Sequence, residues 1–157
     1  MLPPNYTHLV ANNSHCPIAQ KIIYSVLDEY GLGGVTHHTD TDLDDIETAY
    51  KNGYFGMIKN TNGNYEGTFG LYQLNESNCE IRKMYLIPNA RGKGIGKWMV
   101  NFLIKKAKEL GYKKIELETS SLLPEALQLY QKVGFKEVKT ENTTIRCDRV
   151  FEMKISE

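Results

Sequence analysis

The spacing of apolar residues along the chain predicts an alternating series of strands and helices. The clearest helical pattern covers residues 94–110, where apolar side chains recur every three or four positions and lysines occupy the other side. Segments of strand-like residues, separated by glycine, proline and asparagine, divide most of the remaining chain. The predicted strands are 7–10, 54–59, 65–73, 79–87, 114–118, 135–141 and 149–155, and the predicted helices are 17–30, 42–51 (with Thr41 as N-cap), 94–110 and 124–133.

These elements predict an α/β fold with a mixed, largely antiparallel central sheet. The sheet is expected to have about six or seven strands, because consecutive strands follow one another as hairpins and strand–helix–strand units close the chain. About four helices are expected to cover both faces. The length of 157 residues suits one domain with a substantial core, so we expect residues 1–157 to form a single domain.

Composition excludes several classes of protein. Lys plus Arg and Asp plus Glu both total 19, a balance that disfavours a dedicated nucleic-acid binder. The three cysteines are widely spaced and form no disulfide framework, so we expect a reducing, cytoplasmic environment. No signal-peptide pattern opens the chain, and no apolar run reaches the ~18 residues of a membrane span.

The charges are unevenly distributed although their sum is zero. Residues 22–50 contain seven acidic residues and no Lys or Arg, whereas residues 82–114 contain ten basic residues and one acidic residue. This pattern is typical of a protein that holds an anion at one place and receives a cation at another. Solvated helix faces, and acids in the first turn of a helix, would produce the same pattern, and both interpretations stay open.

A glycine-rich segment between a predicted strand and the clearest helix is the main candidate for ligand binding. It reads Arg91-Gly92-Lys93-Gly94-Ile95-Gly96-Lys97. Glycines allow backbone N–H groups to approach a ligand, and a helix start adds free donors and a positive dipole end, so the segment predicts a phosphate site. Its spacing fits neither the Walker A loop nor the dinucleotide pattern, which leaves Arg-x-x-Gly-x-Gly directly after a strand.

This loop and its flanks resemble the GNAT superfamily of N-acetyltransferases, which bind acetyl-CoA. Residues 80–88 look like the fourth strand of the family, and residues 126–135 match its last-helix signature, Ala-x-x-Leu-Tyr-x-Lys-x-Gly-Phe. The resemblance implies a GNAT-like fold and direct transfer of an acetyl group to a primary amine in a ternary complex. It covers roughly residues 80–135, and it departs from the family at Leu123, where an asparagine is common.

The resemblance also implies which residues bind the cofactor. The family's fourth and fifth strands splay apart to admit the pantetheine arm, the backbone of Met84 would face the acetyl carbonyl, and the glycine-rich segment would hold the diphosphate. The residues implied to bind acetyl-CoA are Met84, Tyr85, Leu86, Arg91, Gly92, Lys93, Gly94, Ile95, Gly96, Lys97 and Lys132.

Two side chains are candidates for proton transfer. By position in the family, Glu80 is the candidate base and Tyr130 is the candidate acid for the departing thiolate. Four residues of regular strand measure roughly 13 Å, so Glu80 would reach an amine beside Met84 only through a bulge or a water chain. Each residue also has a purely structural interpretation. Glu80 could form an ion pair with Arg82 or Lys83, and Tyr130 could only pack in the core.

The acceptor is the least constrained part of this interpretation. The acidic surroundings favour a small cationic amine over a protein acceptor, with Glu29 and Asp148 as weak candidates for its binding. One other function stays open, a non-catalytic acetyl-CoA-binding sensor or interaction domain. A nucleic-acid binder that uses the lysine-rich helix is a third hypothesis, which the zero net charge and the scarcity of interleaved aromatic and basic residues argue against, so no nucleic-acid partner is expected. Members of the family are commonly dimers, so a homodimer also stays open.

A metal site is not expected. His37 and His38 precede several aspartates, but the calcium-loop spacing fails because its sixth position is Asp45 and its twelfth is Lys51. Cys147 is expected to be a small buried residue rather than a nucleophile.

Overall fold

Seven strands and four α-helices form in the part of the chain that the structure, a computed structural model, describes: residues 1–32, 40–141 and 147–156. The strands are β1 (Tyr6–Val10), β2 (Tyr54–Asn60), β3 (Tyr65–Gln73), β4 (Asn78–Leu86), β5 (Lys114–Thr119), β6 (Lys136–Val138) and β7 (Arg149–Lys154). The helices are α1 (Cys16–Glu29), α2 (Ile46–Ala49), α3 (Ile95–Glu109) and α4 (Pro124–Val133).

All seven strands belong to one sheet, in the order β1-β2-β3-β4-β5-β7-β6. Every neighbouring pair is antiparallel except β4 and β5, which are parallel. Parallel neighbours need a crossover connection, and α3 supplies it. The predicted fold, a mixed and largely antiparallel sheet with helices on both faces, is therefore confirmed.

The two faces of the sheet carry separate apolar clusters. On one face, the stripe of α3 packs with the inward residues of β4, β5 and α4. On the other face, α1 and α2 pack against β2 and the outer part of β3. Four of the five buried residues of α3, namely Ile95, Met99, Leu103 and Ala107, belong to the apolar stripe that predicted this helix. The fifth, Val100, does not, and Leu110 at the end of the predicted stripe is 47% exposed. No helix of the described residues is both long and apolar enough to cross a membrane.

The second predicted helix is the main error in the sequence-based assignment. Instead of one helix over residues 42–51, the chain forms a 3-10 turn, Thr41–Asp44, followed by the four-residue α2. Asp45 separates them, because its backbone is not helical (φ −150°, ψ 78°) and its side chain accepts a hydrogen bond from the N–H of Thr48. Asp45, and not Thr41, is thus the N-cap of α2. The strand predicted over 135–141 is also shorter, since β6 covers three residues.

A buried carboxylate joins the first three strands to the turn before α3. Glu66 on β3 is 2% exposed, and its carboxylate accepts hydrogen bonds from the Tyr6 hydroxyl (3.2 Å) and the Asn89 amide (3.0 Å), as well as from Asn60. The ammonium of Lys93 donates to the Tyr6 hydroxyl at 3.1 Å. The network therefore fixes part of the glycine-rich segment relative to the sheet.

We expect Glu66→Leu to lower the free energy of unfolding by about 1–3 kcal/mol, because it removes the acceptor of the buried Tyr6 hydroxyl and of the half-buried Asn60 amide. Glu76→Leu is the matched control, since Glu76 is exposed between β3 and β4 and should change stability by less than about 0.5 kcal/mol. Urea unfolding of both variants measures the difference. Equal stabilities would show that the network contributes nothing.

Candidate active site

A gap opens in the sheet where β4 leaves β5. The two strands pair from Asn78 with Lys114 to Ile81 with Leu117, and the pairing then ends although both strands continue. The gap leads into a cavity of about 720 Å³. The second half of β4 lines this cavity, together with residues of α1, α3, α4 and the end of β5.

A bulge in β4 lies at the start of the gap. Lys83 has a φ of +55°, and the register between β3 and β4 shifts so that Thr68 pairs with Tyr85 while Gly70 pairs with Arg82. Arg82 and Lys83 consequently both point to the α1 side, whereas Met84 packs with the cluster on the α3 side. The regular-strand spacing between Glu80 and Met84 therefore does not apply.

Two ion-pair groups lie on the cavity wall. Glu80 forms an ion pair with Arg82, which is the structural role that the sequence offered as an alternative to catalysis. Burial raises the pKa of the Glu80 carboxyl even though the ion pair opposes this shift. The ammonium of Lys83 lies 2.9 Å from Asp40 and 3.3 Å from Asp42. Sequence reasoning did not select Asp40 or Lys83 as site residues, although Asp40 belongs to the acidic segment that it noted.

Tyr130 is placed by α4 on the wall of the same cavity. Its side chain is 5% exposed, and its ring contacts those of Phe135 and Phe151 at centroid distances of 6.0 and 6.3 Å. Burial raises the pKa of the Tyr130 hydroxyl, with the nearby Tyr85 as a second cause. The side chain thus packs in the core and also borders the cavity. It keeps its proton at neutral pH.

The glycine-rich segment presents a row of free backbone donors. Gly92 and Gly94 have φ angles of +75° and +83°, a conformation that glycine adopts without strain. Gly94 is the N-cap of α3 and offers no capping side chain. Within the described residues, no hydrogen bond uses the backbone N–H groups of residues 92–97. These donors and the helix dipole have the chemistry that an anion requires, and the anion site stays a prediction.

Gly96 has a packing role beside its place in this loop. A Cβ at this position would lie 3.3 Å from Cδ2 of Leu129, which is tighter than ordinary contact, so the glycine lets α3 approach α4 closely. The side chain of Ile95 is 1% exposed, and only its backbone is available to a ligand.

The three predicted cations of the loop are held differently. The guanidinium of Arg91 donates to both carboxylate oxygens of Glu29, at 2.6 and 2.8 Å, and its Nε donates to the Leu86 carbonyl at 3.0 Å. This pair lowers the pKa of Glu29 and raises that of Arg91. Lys93 is bonded to Tyr6. Lys97 instead lines a second groove.

That second groove runs between α3 and α4 and has a volume of about 480 Å³. Lys97 and Lys132 line it, and it shares Gly96, Glu125 and Leu129 with the wall of the main cavity. The structure therefore brings Lys132 to the same region as the glycine-rich segment, although the two are more than thirty positions apart in the sequence.

The two candidates for acceptor binding lie beside the cavity rather than on its wall. Glu29 is bonded to Arg91, and Asp148 accepts hydrogen bonds from the N–H (2.7 Å) and the hydroxyl (2.6 Å) of Ser121, which lower its pKa. Their role in acceptor binding stays a prediction. Cys147 does line the cavity and is only partly buried.

The candidate metal residues His37 and His38 lie outside the described residues, as does Arg146. The described residues contain no group of three or more His, Cys, Asp or Glu side chains that could hold a metal ion.

Comparison with known proteins agrees with this geometry. Residues 21–135 match the model of the Acetyltransferase (GNAT) family. The uncharacterized N-acetyltransferase YjgM of Escherichia coli K12 is 34% identical over 128 residues, which cover 78% of this chain and 77% of that protein.

Solved structures share the fold. An acetyltransferase of the GNAT family from Staphylococcus aureus superimposes with a TM-score of 0.88 at 24% identity, over 96% of this chain and 99% of that one. A spermidine N-acetyltransferase from Vibrio cholerae, solved with CoA and spermine, has a TM-score of 0.70 at 17% identity, over 96% and 94% of the two chains. The chain belongs to the acetyltransferase (GNAT) family. It is an acyltransferase.

Proposed function

We propose that this chain transfers an acetyl group from acetyl-CoA to a primary amine, by direct attack in a ternary complex. The observation that carries the proposal is the cavity between β4 and β5, which is lined by Gly92 and Gly96 of the free-donor loop. We propose further that residues 1–157 act as one catalytic domain.

The described residues suit the parts of acetyl-CoA. The free N–H groups of residues 92–97 would bind the diphosphate, with Lys97 and Lys132 at the adjoining groove. The second half of β4, which has no partner strand on the β5 side, would bind the pantetheine arm as an added strand does, through Met84, Tyr85 and Leu86. Acetyl-CoA would supply the acetyl thioester.

A small cationic amine is the acceptor that this cavity suits best. The carboxylates of Asp40, Glu80 and Glu118 line it, while the cations Arg82 and Lys83 offset part of their charge. The spermidine N-acetyltransferase with the same fold binds an amine of this class. The attacking amine must lose a proton, and Glu80 on the cavity wall is the proposed base. It would act through a water molecule, because the bulge at Lys83 separates it from Met84.

Arg91→Met should weaken CoA binding at least tenfold in calorimetry, because the guanidinium adds positive charge beside the proposed diphosphate site and its bond to the Leu86 carbonyl holds the start of the glycine-rich segment against the end of β4. Arg149→Met is the matched control: Arg149 is likewise bonded by its side chain to a glutamate, Glu137, but does not line the cavity. It should change the Kd less than twofold. If the wild-type protein shows no heat with millimolar CoA, the proposed function is wrong.

Tyr130→Phe should lower turnover at least tenfold and change the Kd of CoA less than twofold, because the hydroxyl protonates the departing thiolate. Free thiol is measured with acetyl-CoA and a panel of diamines, amino acids and peptides, and diamines should react fastest. Tyr112→Phe, which removes a buried hydroxyl bonded to the Asn52 carbonyl, controls for lost stability.

Unchanged turnover in Tyr130→Phe would remove this tyrosine from the mechanism. Tight CoA binding without thiol release from any amine would favour the alternative function, a non-catalytic acetyl-CoA-binding domain.

Glu80→Gln should lower kcat/KM roughly 100-fold at neutral pH and abolish the acidic limb of the pH profile. The base acts only when ionised, and burial raises the pKa of Glu80 above its ordinary value of 4.5. In the wild-type protein, kcat/KM should therefore fall as the pH drops through this raised pKa. Glu116→Gln, on the facing position of β5, should keep the limb. A profile unchanged by Glu80→Gln would exclude Glu80 as the base.

A further inference from the structure

We infer that Lys83, held by Asp40 and Asp42, is a positioning residue that fixes the bulge of β4 and thereby the orientation of the Met84 backbone. The inference rests on the proposed function, in which β4 binds the pantetheine arm, together with the position that the family resemblance implies for the Met84 backbone, facing the acetyl carbonyl. It assigns a role to three charged residues that neither touch the reacting atoms nor belong to the glycine-rich segment.

The backbone conformation of Lys83 needs an external cause. Among the described residues it is the only one other than glycine with a positive φ, at +55°. Side chains with a Cβ disfavour this region, because the Cβ approaches the following carbonyl oxygen. Such a conformation persists where the surrounding contacts over-determine it.

Contacts hold Lys83 at both of its ends. Its carbonyl accepts a hydrogen bond of 2.6 Å from the hydroxyl of Thr68, a fully buried residue on β3. Its ammonium lies 2.9 Å from Asp40 and 3.3 Å from Asp42, and Asp40 is 3% exposed. Asp42 in turn accepts a hydrogen bond of 2.6 Å from the Tyr50 hydroxyl. These contacts hold the carbonyl and the ammonium of Lys83 in place, and they therefore oppose a change of its backbone to the extended conformation.

The bulge decides which groups of β4 face the cavity. It follows the last pair of the β4–β5 ladder, Ile81 with Leu117, and immediately precedes Met84. Because side chains alternate along a strand, removing the bulge would exchange the faces of every later residue. Met84 and Leu86, which now pack on the α3 side, would then exchange with Tyr85, which packs on the α1 side.

The test compares Lys83→Met with Lys83→Gly. Both variants remove the ammonium that pairs with Asp40 and Asp42, so any effect of the lost charge is the same in the two. They differ in the backbone, because glycine adopts a positive φ without strain and methionine does not. We expect Lys83→Met to lower kcat at least tenfold with the KM for acetyl-CoA changed less than threefold, and Lys83→Gly to recover at least half of the lost kcat. Lys51→Met, at an exposed position, is the control for loss of a lysine.

Equal losses of kcat in the two variants would overturn the inference, since the lysine charge itself would then be what matters. Retention of full kcat by Lys83→Met would overturn it too. If Lys83→Met does not fold, Asp40→Asn replaces it, with an expected tenfold loss of kcat that is recovered when Lys83→Gly is added.

A second readout does not depend on turnover. In protein labelled with ¹⁵N-methionine, the Met84 amide resonance should move in Lys83→Met and return toward the wild-type position in Lys83→Gly. An unmoved resonance in Lys83→Met contradicts the inference. If the wild-type protein releases no thiol from acetyl-CoA, the proposed function fails, and this resonance still decides whether Lys83 positions Met84.

Discussion

The parallel pairing of β4 with β5 stops at Ile81 and Leu117, and the rest of the site depends on that stop. A strand inside a sheet that loses its neighbour exposes a row of backbone donors and acceptors, which are costly to bury without partners. Side chains from α1, α3 and α4 surround the gap, which forms a cavity. An extended ligand that adds as a strand would satisfy those backbone groups, and this is what acetyl-CoA offers in the proposed function.

The uneven distribution of charge has a structural explanation beside the functional one. Two acids of residues 22–50 pair with Lys83, and Glu29 pairs with Arg91, so part of the acidic segment neutralises part of the basic one across the α1 face. The pair of Glu29 with Arg91 joins α1 to the glycine-rich segment. The pairs of Lys83 with Asp40 and Asp42 join the start of the 3-10 turn before α2 to β4. These acids therefore hold Lys83 and Arg91 in place, and Asp40 also contributes negative charge to the cavity wall.

The fold could be predicted from the sequence because periodicity records burial directly. The bounds predicted for α4 agree with the structure, and those of α3 differ by one residue at each end, since a stripe of apolar residues and a following glycine mark both helices. The helix prediction over 42–51 was wrong because the Asp45 side chain accepts a local hydrogen bond from the Thr48 N–H, which competes with helix continuation. The glycine-rich loop was recognisable because its backbone conformation requires glycine, but the bulge at Lys83 uses no glycine. The bond between Arg91 and Glu29 spans 62 positions. Neither feature leaves a local signal.

The two proposed proton-transfer groups show how one cavity can tune an acid and a base together. Burial raises the pKa of both Tyr130 and Glu80, because a low-polarity surrounding disfavours each anion. For a tyrosine this keeps the hydroxyl protonated at neutral pH, so that it can donate a hydrogen bond to the departing thiolate. For a carboxylate it strengthens the base, while the Arg82 ion pair opposes the shift and favours the ionised form at neutral pH. The sequence specifies both residue types, but their basicity follows from burial, which only the folded chain determines.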